Sequence, residues 1–302
     1  MIDQFGGNMR YLVTGGAGFI GSHLCDTLLA QEHEVTAIDD MSTGQWANIQ
    51  DALQHPKFHF VQNNVLDFWD KNRSLSFDCI FHLAAMARIQ PSFDDPGYTF
   101  RNNAYGTSCM LDYARRIDAR FVYSGSSTFY FDPFANPYAF SKWIGEEACR
   151  MYYTVYDVPV GIARFFNVYG KRQIEKGPYS TVIGIFERQY RNHEPLTITG
   201  TGEQRRDFTA VEDIVSGLIA IENHLAAGNK ELEVFALGTG RNYSINEIAD
   251  LFGSGDVKYL PRRPGEAEIT LADIARTKEV LGWEPQHRIE DYVKNFLSEW
   301  IV

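Results

Sequence analysis

The sequence has no run of apolar residues long enough to cross a bilayer, which needs about 20 consecutive apolar residues in a helix. Its first nine residues are mostly polar or glycine, so we expect neither a signal peptide nor an anchor there. Cysteine is rare and shows no CxxC spacing, the four being Cys25, Cys79, Cys109 and Cys149. Such cysteines are expected to be small buried side chains in a reducing compartment. These features predict a cytoplasmic protein.

Positive charge is also scarce, since 28 lysines and arginines stand against 39 aspartates and glutamates, a formal net charge of −11. A surface with that excess of negative charge repels nucleic acid and anionic membranes, so we expect neither as a partner. No repeat or low-complexity tract interrupts the chain, and we expect no metal site. With 44% hydrophobic residues over 302 positions, the chain can bury a large core in one α/β domain or two lobes.

Residues 10–40 are the stretch around which the chain is organised. Tyr11-Leu12-Val13 is a short apolar run, typical of a strand buried on both faces. A glycine-rich turn follows, and apolar residues then recur at helical spacing as far as Leu29. A second apolar run ends on Asp39. The stretch therefore predicts a βαβ unit with glycines at positions 15, 18 and 21.

Each of these glycines has a distinct role in a dinucleotide-binding turn. Gly15 permits the tight turn, Gly18 lets backbone N–H groups approach a pyrophosphate, and Gly21 lets the helix pack closely. Asp39 can accept hydrogen bonds from both adenosine-ribose hydroxyls and would repel a 2′-phosphate, so the predicted cofactor is NAD rather than NADP. Glycines also mark ordinary turns, and on the pattern alone that alternative stays open.

Strands and helices alternate through the first 165 residues. Six strands are predicted near residues 11–13, 35–39, 58–61, 77–83, 120–123 and 158–165. Helices are predicted near 19–29, 96–117 and 137–156, and then near 180–192, 212–225, 244–252 and 289–301. This alternation predicts an α/β fold, a doubly wound parallel (Rossmann) sheet with a smaller C-terminal α/β substrate lobe. The first predicted lobe comprises residues 9–170, is completed by parts of 205–240 and binds NAD. The second comprises mainly residues 171–302 and binds the substrate.

Tyr138 and Lys142 stand four positions apart at the start of a predicted helix, so they share one face. A phenol has a reference pKa of about 10 and is a poor base at neutral pH, but a nearby ammonium favours the phenolate. Ser126, at the end of the preceding strand, can reach the same reacting oxygen. Such Tyr-x-x-x-Lys pairs are common on surface helices. The position of this pair downstream of a dinucleotide turn makes it the candidate for proton transfer.

Further motifs are spread along nearly the whole chain. They are 14–21 (TGGAGFIG), 82–85 (HLAA), 102–103 (NN), 126–127 (SS), 138–142 (YAFSK), 164–170 (RFFNVYG), 200–208 (GTGEQRRDF), 211–213 (VED) and 261–265 (PRRPG). On these motifs the chain resembles the extended short-chain dehydrogenases/reductases, and within them the nucleotide-sugar 4-epimerases related to UDP-glucose 4-epimerase.

The resemblance implies a role for each matching residue. It implies that NAD is bound by Gly15, Gly18, Phe19, Ile20, Gly21, Asp39, Asp40, Asn64, Val65, Leu83, Ala84, Ala85, Asn102, Tyr138 and Lys142. It implies that the nucleotide sugar is bound by Ser126, Ser127, Tyr138, Asn167, Arg206, Arg263 and Thr270. The two arginines would neutralise the diphosphate, a task that suits the guanidinium fork. Without the resemblance, each arginine would be interpreted as a solvated loop charge.

The stretch between Ser126 and Tyr138 departs from the family pattern. Only residues 127–137 separate the two, where relatives carry a longer loop, and the glycine that usually follows the aromatic pair is absent. Relatives that dehydrate or decarboxylate nucleotide sugars have an acidic residue two or three positions after the catalytic serine or threonine. Thr128 and Phe129 occupy those positions here, which favours simple oxidation and reduction at one carbon.

The resulting hypothesis is an NAD-dependent 4-epimerase for UDP-hexoses or UDP-N-acetylhexosamines. The alternatives are a nucleotide-sugar reductase or 3,5-epimerase/reductase, which should prefer NADPH, and a non-catalytic NAD(H)-binding protein. Thr270 stands where relatives place a pocket-wall residue, and a small residue there leaves room for an acetamido group. We also expect a homodimer through the helices near 96–117 and 138–156, because the second carries Trp143, Tyr152, Tyr153 and Tyr156.

Overall fold

The computed structural model describes residues 7–68, 72–253 and 255–300. Most of the N-terminal stretch examined for a leader, and the last residue of the helix predicted near 289–301, lie outside the described residues. None of the described helices is long and apolar enough to cross a membrane.

The described strands and helices alternate through the first half of the chain. The strands are β1 (Arg10–Thr14), β2 (Glu34–Asp39), β3 (Phe58–Gln62), β4 (Cys79–His82), β5 (Arg120–Ser126), β6 (Val160–Phe165), β7 (Val168–Tyr169), β8 (Leu196–Thr199), β9 (Arg205–Asp207), β10 (Thr209–Ala210), β11 (Glu233–Leu237), β12 (Asn242–Ser244) and β13 (Val257–Leu260). The helices are α1 (Phe19–Ala30), α2 (Trp46–Ile49), α3 (Ile89–Asp94), α4 (Pro96–Phe100), α5 (Gly106–Ile117), α6 (Pro137–Tyr156), α7 (Val182–Arg191), α8 (Val211–Ala226), α9 (Ile245–Leu251), α10 (Ala275–Leu281) and α11 (Ile289–Trp300).

The central sheet has seven strands in the described residues, all parallel, in the order β11-β6-β5-β4-β1-β2-β3. The order runs outward in both directions from the β1–β4 pair, which is the doubly wound arrangement. This confirms the predicted Rossmann fold. The seventh strand, Glu233–Leu237, was not predicted, and it pairs with β6 at the edge of the sheet.

Helices cover both faces of this sheet. On one face, Leu28 of α1 and Leu218 of α8 belong to a single buried apolar cluster with the strands. On the other face, Leu111 of α5 and Cys149 of α6 belong to a second cluster. Because both faces are covered, the strands are apolar almost throughout rather than alternating with polar residues. Each fully buried aliphatic side chain contributes roughly 1.5–3 kcal/mol of transfer free energy.

The C-terminal region has its own buried apolar cluster. It includes Phe186 of α7, Ile198 of β8, Val293 of α11, and Phe252, which directly follows α9. Here β8 and β13 form a small parallel sheet, and β9 pairs with β12 in an antiparallel one. The lobe boundaries proposed from the sequence stay a prediction. The four cysteines are free, three buried and Cys109 partly so.

The predicted helix near 96–117 is interrupted by one π-helical turn, Arg101–Tyr105, between α4 and α5. This turn gives its two asparagines different environments. Asn103 is buried and bonds the backbone of Met86 through both its amide atoms, while Asn102 faces the cleft described below. π-turns are rare and are frequent at functional sites.

Candidate active site

A cleft of about 500 Å³ lies outside the carboxyl ends of the central strands and extends into the C-terminal region. This is where open parallel sheets bind ligands. Every residue that the sequence assigned to cofactor, substrate or proton transfer lines this cleft. The structure thus brings together positions that range from Gly15 to Thr270, and their individual roles stay predictions.

The glycine turn after β1 has the close geometry that a dinucleotide requires. Gly15 has a φ of +72°, which L side chains rarely adopt, and its N–H donates to the carbonyl of Ile38 at 2.7 Å. A Cβ at position 21 would lie 2.1 Å from the Gly15 carbonyl oxygen, so α1 rests directly on the turn. No side chain caps the start of α1, which leaves this positive helix end facing the cleft. The turn therefore fits a pyrophosphate.

Asp39 at the end of β2 forms the next part of the cleft and is only 8% exposed. One carboxylate oxygen accepts from the N–H of Ala17 at 3.0 Å and the other from the N–H of Met41 at 2.8 Å. Burial raises the pKa of this carboxyl, while the backbone amides lower it. The two bonds fix the carboxylate at the strand end, and its further lone pairs stay available for ribose hydroxyls.

An amide side chain connects the two sides of the adenosine end. Asn64 donates to Asp40 at 2.9 Å and approaches the Asn102 oxygen at 3.5 Å. Its own carbonyl oxygen accepts from the N–H of Leu66. These contacts fix the asparagine that stands where relatives usually have aspartate.

The start of α6 positions Tyr138 and Lys142. The side chain of Asn136 caps the helix by accepting from the N–H of Ala139 at 2.7 Å, and Pro137 occupies the first helical position. The same side chain donates to the carbonyl of Gly265, which ties the helix start to the C-terminal region. The catalytic candidates are therefore held by both parts of the molecule.

Burial raises the pKa of Tyr138, and two neighbours oppose that effect, a hydrogen bond with Ser126 and the positive charge of Arg88. Lys142 is 5% exposed and its Nζ donates to the carbonyl of Ser124 at 2.7 Å. Burial lowers the Lys142 pKa to about 8. The positive charge of Arg88 therefore favours the charged form of the phenol in this structure, and the proposed effect of Lys142 on the phenol stays a prediction.

The short segment after Ser126 is ordered by packing against a buried ion pair. It forms two 3-10 turns, Ser127–Tyr130 and Pro133–Ala135. The ring centroid of Phe129 lies 3.3 Å from the Arg164 guanidinium carbon, and Arg164 in turn bonds Glu146 at 2.7 Å. The Arg164–Glu146 pair thus supports one wall of the cleft.

The substrate end of the cleft is formed by the C-terminal region. Arg206 lies 3.7 Å from Glu266, and the side chain of Arg263 is exposed. The Thr270 hydroxyl lies 3.4 Å from the Asn167 amide oxygen, and the Thr270 N–H donates to the carbonyl of Arg205. These positions could bind a diphosphate and one side of a sugar.

Arg88 is the lining residue of greatest chemical interest that the sequence reasoning missed. It directly precedes α3 and faces the cleft. The available signal was a single arginine in the otherwise apolar stretch 83–89, which follows a central strand. Arginine alone is usually a surface residue, so that signal gains meaning only from the half-buried position that Arg88 has in the cleft.

Comparison with known proteins agrees with this geometry. A family model described as GDP-mannose 4,6 dehydratase matches residues 12–296. The UDP-glucose 4-epimerase of Mycolicibacterium smegmatis is 35% identical, over 92% of this chain and 94% of that protein. The UDP-glucuronic acid decarboxylase 1 of Arabidopsis thaliana is 31% identical, over 97% of this chain and 70% of that protein.

Solved structures show the same likeness. The UDP-N-acetylglucosamine 4-epimerase of Methanobrevibacter ruminantium M1, in complex with UDP-N-acetylmuramic acid, has a TM-score of 0.87 at 30% identity, with 97% of this chain and 98% of that chain covered. The UDP-glucuronic acid 4-epimerase of Bacillus cereus, in complex with UDP-glucuronic acid and NAD, has a TM-score of 0.84 at 28% identity, with 97% and 100% covered. The chain therefore belongs to the GDP-mannose 4,6 dehydratase family of extended short-chain dehydrogenases/reductases, as an NAD-dependent enzyme that modifies nucleotide sugars.

Proposed function

We propose that the protein is a nucleotide-sugar 4-epimerase that acts on UDP-hexoses and UDP-N-acetylhexosamines. The observation that carries the proposal is the grouping of Ser126, Tyr138 and Lys142 in one cleft with a dinucleotide turn, without a carboxylate at position 128 or 129. Epimerase names among the relatives support the same reaction.

In this proposal Tyr138 accepts the proton of the 4-hydroxyl as C4 is oxidised and returns it as C4 is reduced. Ser126 bonds the same sugar oxygen and, through its bond to the phenol, favours the charged form of Tyr138. The glycine turn and Asp39 would hold NAD at one end and Lys142 at the other, and the bound nicotinamide would supply the hydride chemistry at C4.

The sugar must turn over between the two half-reactions while its nucleotide stays bound. Arg206 and Arg263 would hold the diphosphate, together with Asn167. Arg206 is well suited because burial keeps it in place while Glu266 is only loosely paired with it. The ring then stays free to present its other face.

Decarboxylation is the main competing reaction, since relatives of that name exist. The resemblance places the acidic residue of dehydrating and decarboxylating relatives two or three positions after the serine. Thr128 and Phe129 stand there, and the Thr128 hydroxyl is already bonded to Ser126 at 3.0 Å. Neither side chain supplies a carboxyl acid or base, which favours epimerisation.

A substrate panel tests the reaction. The purified protein is incubated with UDP-, GDP- and dTDP-sugars, and inversion at C4 is followed by NMR. We expect inversion with UDP-sugars and without added cofactor, and denaturation should release NAD. Release of mostly NADP(H) would contradict the proposal. Products that have lost carbon dioxide or water, and whose C4 is not inverted, would also contradict it.

Thr270 provides a test of sugar specificity. Its small side chain leaves room for an acetamido group, so Thr270→Tyr should remove the conversion of UDP-N-acetylglucosamine while UDP-glucose stays a substrate. Discrimination by the wild type should be weak, on the order of 10–200-fold. Thr201→Tyr is the matched control, since Thr201 is exposed in a turn and does not line the cleft. If Thr270→Tyr leaves the acetamido substrate unaffected, the limiting wall lies elsewhere.

A further inference from the structure

Arg164 is buried next to the segment that carries Ser126, and it contacts that segment on both sides of the serine. The ring centroids of Phe129 and Tyr130 lie 3.3 Å and 4.8 Å from its guanidinium carbon. A Cβ at Gly125 would lie 3.1 Å from the Arg164 Cγ, so the backbone before the serine rests on the same side chain. Neither Arg164 nor Phe129 lines the cleft, so their effect on a bound substrate must pass through other residues.

A carboxylate fixes Arg164 in this position. Glu146, which is 1% exposed, accepts from the Arg164 Nε at 3.0 Å and from its Nη2 at 2.7 Å. A bidentate pair of this kind holds the plane of the guanidinium in one orientation. The flat cation can then stack on an aromatic ring, which attracts it electrostatically. The turn Ser127–Tyr130 is therefore attached to a rigid support rather than to a mobile surface side chain.

This turn determines what the Ser126 hydroxyl can do. Ser126 caps the turn, because its Oγ accepts from the Thr128 N–H at 3.2 Å and from the Thr128 hydroxyl at 3.0 Å. A serine hydroxyl has two acceptor lone pairs and one proton, so these bonds leave the proton as the group that Ser126 can offer. A hydrogen bond with Ser126 lowers the pKa of Tyr138, as expected when the serine donates to the phenol.

We propose that Arg164 is a positioning residue, which holds the ring of Phe129 and so keeps Thr128 on the Ser126 oxygen and the Ser126 proton directed at the reacting sugar oxygen. If the ring left the guanidinium, the turn could open and the hydroxyl could rotate away from the site. The inference rests on the proposed function for the role of Ser126. It does not depend on inversion, because any oxidation of a carbon whose oxygen meets Tyr138 would use the same hydroxyl.

A double-mutant cycle of Phe129→Leu and Ser126→Ala tests the inference. Phe129→Leu keeps an apolar side chain and removes the ring from Arg164. We expect kcat to fall by roughly 10–100-fold, as for other small displacements near the reacting atoms. The KM for the nucleotide sugar should stay within about twofold, since binding contacts are unchanged. In the Ser126→Ala background the same change should lower kcat by less than about twofold, because the hydroxyl that it positions is gone.

Hydrogen exchange followed by mass spectrometry gives a readout that does not depend on activity. Peptides that cover residues 126–131 should exchange faster in Phe129→Leu, since the Thr128 N–H loses its acceptor when the turn opens. Phe129→Tyr keeps the ring and should keep both the wild-type exchange and kcat. Phe134→Leu is the matched control and should change neither, because Phe134 lies in the next turn, is 74% exposed and packs against Phe140.

Equal losses of kcat in the two backgrounds would overturn the inference, and so would unchanged exchange in Phe129→Leu. If Phe129→Leu does not fold, as judged by its thermal transition, Arg164→Lys replaces it in the cycle. That variant keeps a cation for Glu146 and removes the planar face. Equal losses in an enzyme that inverts C4 would contradict this inference alone. The expected cycle in an enzyme that converts nucleotide sugars without inverting C4 would contradict only the epimerase proposal.

Discussion

Among single residues, Tyr138 is the one on which the proposed proton transfer depends. Tyr138→Phe should reduce kcat by roughly 10²–10⁴-fold, the usual share of a positioned proton-transfer group. Bound NAD should be retained, because the glycine turn and Asp39 provide the other contacts proposed for the dinucleotide. Steady-state kinetics and the NAD content of the purified variant measure the two effects.

The matched control is Tyr156→Phe, which removes the same hydroxyl from the exposed end of α6. It should leave kcat unchanged. Near wild-type turnover in Tyr138→Phe would refute the role of the phenol in the reaction.

His82 is a buried residue whose surroundings accept only the neutral ring. Its Nδ1 lies 2.8 Å from the Thr14 hydroxyl and its Nε2 lies 3.1 Å from the Thr107 hydroxyl. Thr14 also accepts from the N–H groups of Leu83 and Ala84, so its own proton points to Nδ1. A second proton on the His82 ring would occupy Nδ1 and break the hydrogen bond that Nδ1 accepts from the Thr14 hydroxyl. Burial and the charge of Lys142 lower the His82 pKa to about 3.

The low pKa of His82 predicts acid sensitivity between about pH 6.5 and pH 3. In this window the unfolded chain binds the proton and the folded protein does not, so stability rises with pH and is fully present above the unfolded pKa. The free energy of unfolding should fall by up to about 1.4 kcal/mol per pH unit below 6.5 from this group. Urea denaturation at pH 5.5 and 7.5 measures the fall. Comparison with His82→Gln isolates it, since that variant should lose the contribution, and identical pH dependence would contradict the assignment.

At the level of elements, the contact between α1 and the glycine turn has almost no spare space. A methyl group at position 21 would overlap the Gly15 carbonyl, so Gly21→Ala must push the helix away from the turn. We expect a loss of about 1–3 kcal/mol in the free energy of unfolding, as for other overpacked sites. NAD content should fall as well, because the turn holds the pyrophosphate. Denaturation and nucleotide release measure both effects.

Gly255→Ala is the control for this substitution. A Cβ there meets nothing within 4 Å, so stability and NAD content should stay at the wild-type values. Full NAD content in Gly21→Ala would show that the close contact is not needed for binding.

The elements that could be predicted from the sequence are those with local signals. Helix α6 was predicted at its observed bounds, because Pro137 and the Asn136 cap mark its start and Asp157, in the left-handed conformation, ends it. Strand β11 was missed because its five residues gain their stability from β6, which is distant in sequence. Helix α3 was missed because Pro91 lies in its first turn, where proline is tolerated but reads as a break.

The same division applies to the site. The glycine turn and Asp39 could be identified by spacing, because both belong to one βαβ unit. The position of Arg88 in the cleft could not be identified, because it depends on how the fold brings the guanidinium near Tyr138. The exposure of the aromatic side chains on α6 also could not be predicted residue by residue. Tyr156 is exposed, but Trp143 is half-buried and stacks on Phe140.

For the whole molecule, we predict a homodimer through α5 and α6. These helices pack side by side on one face of the sheet, and large apolar side chains are exposed on α6 (Met151 and Val155) and in the π-helical turn before α5 (Tyr105). Such a stripe is best explained by an interface between two copies. Light scattering at micromolar concentration should give twice the chain mass of 34.4 kDa.

Val155→Glu should shift this equilibrium toward the monomer by placing a charge in the stripe. The control is Trp46→Glu, which changes an exposed aromatic residue on α2 instead. A monomeric wild type, or a dimer that resists Val155→Glu, would argue against this interface.

The pairing of β11 with β6 sets an order of events for the newly made chain. Synthesis delivers β1 to β6 first, so the glycine turn and Asp39 can assemble while the chain beyond Phe165 is still missing. Strand β6 then waits for about 70 further residues before its second neighbour appears, which takes roughly 3–14 seconds on the ribosome at about 5–20 residues per second. During that interval Val160 and Ile162 lie on an open sheet edge, the kind of surface on which chains aggregate. The nascent protein is therefore most vulnerable before its last central strand emerges, when only the nucleotide end of the cleft exists.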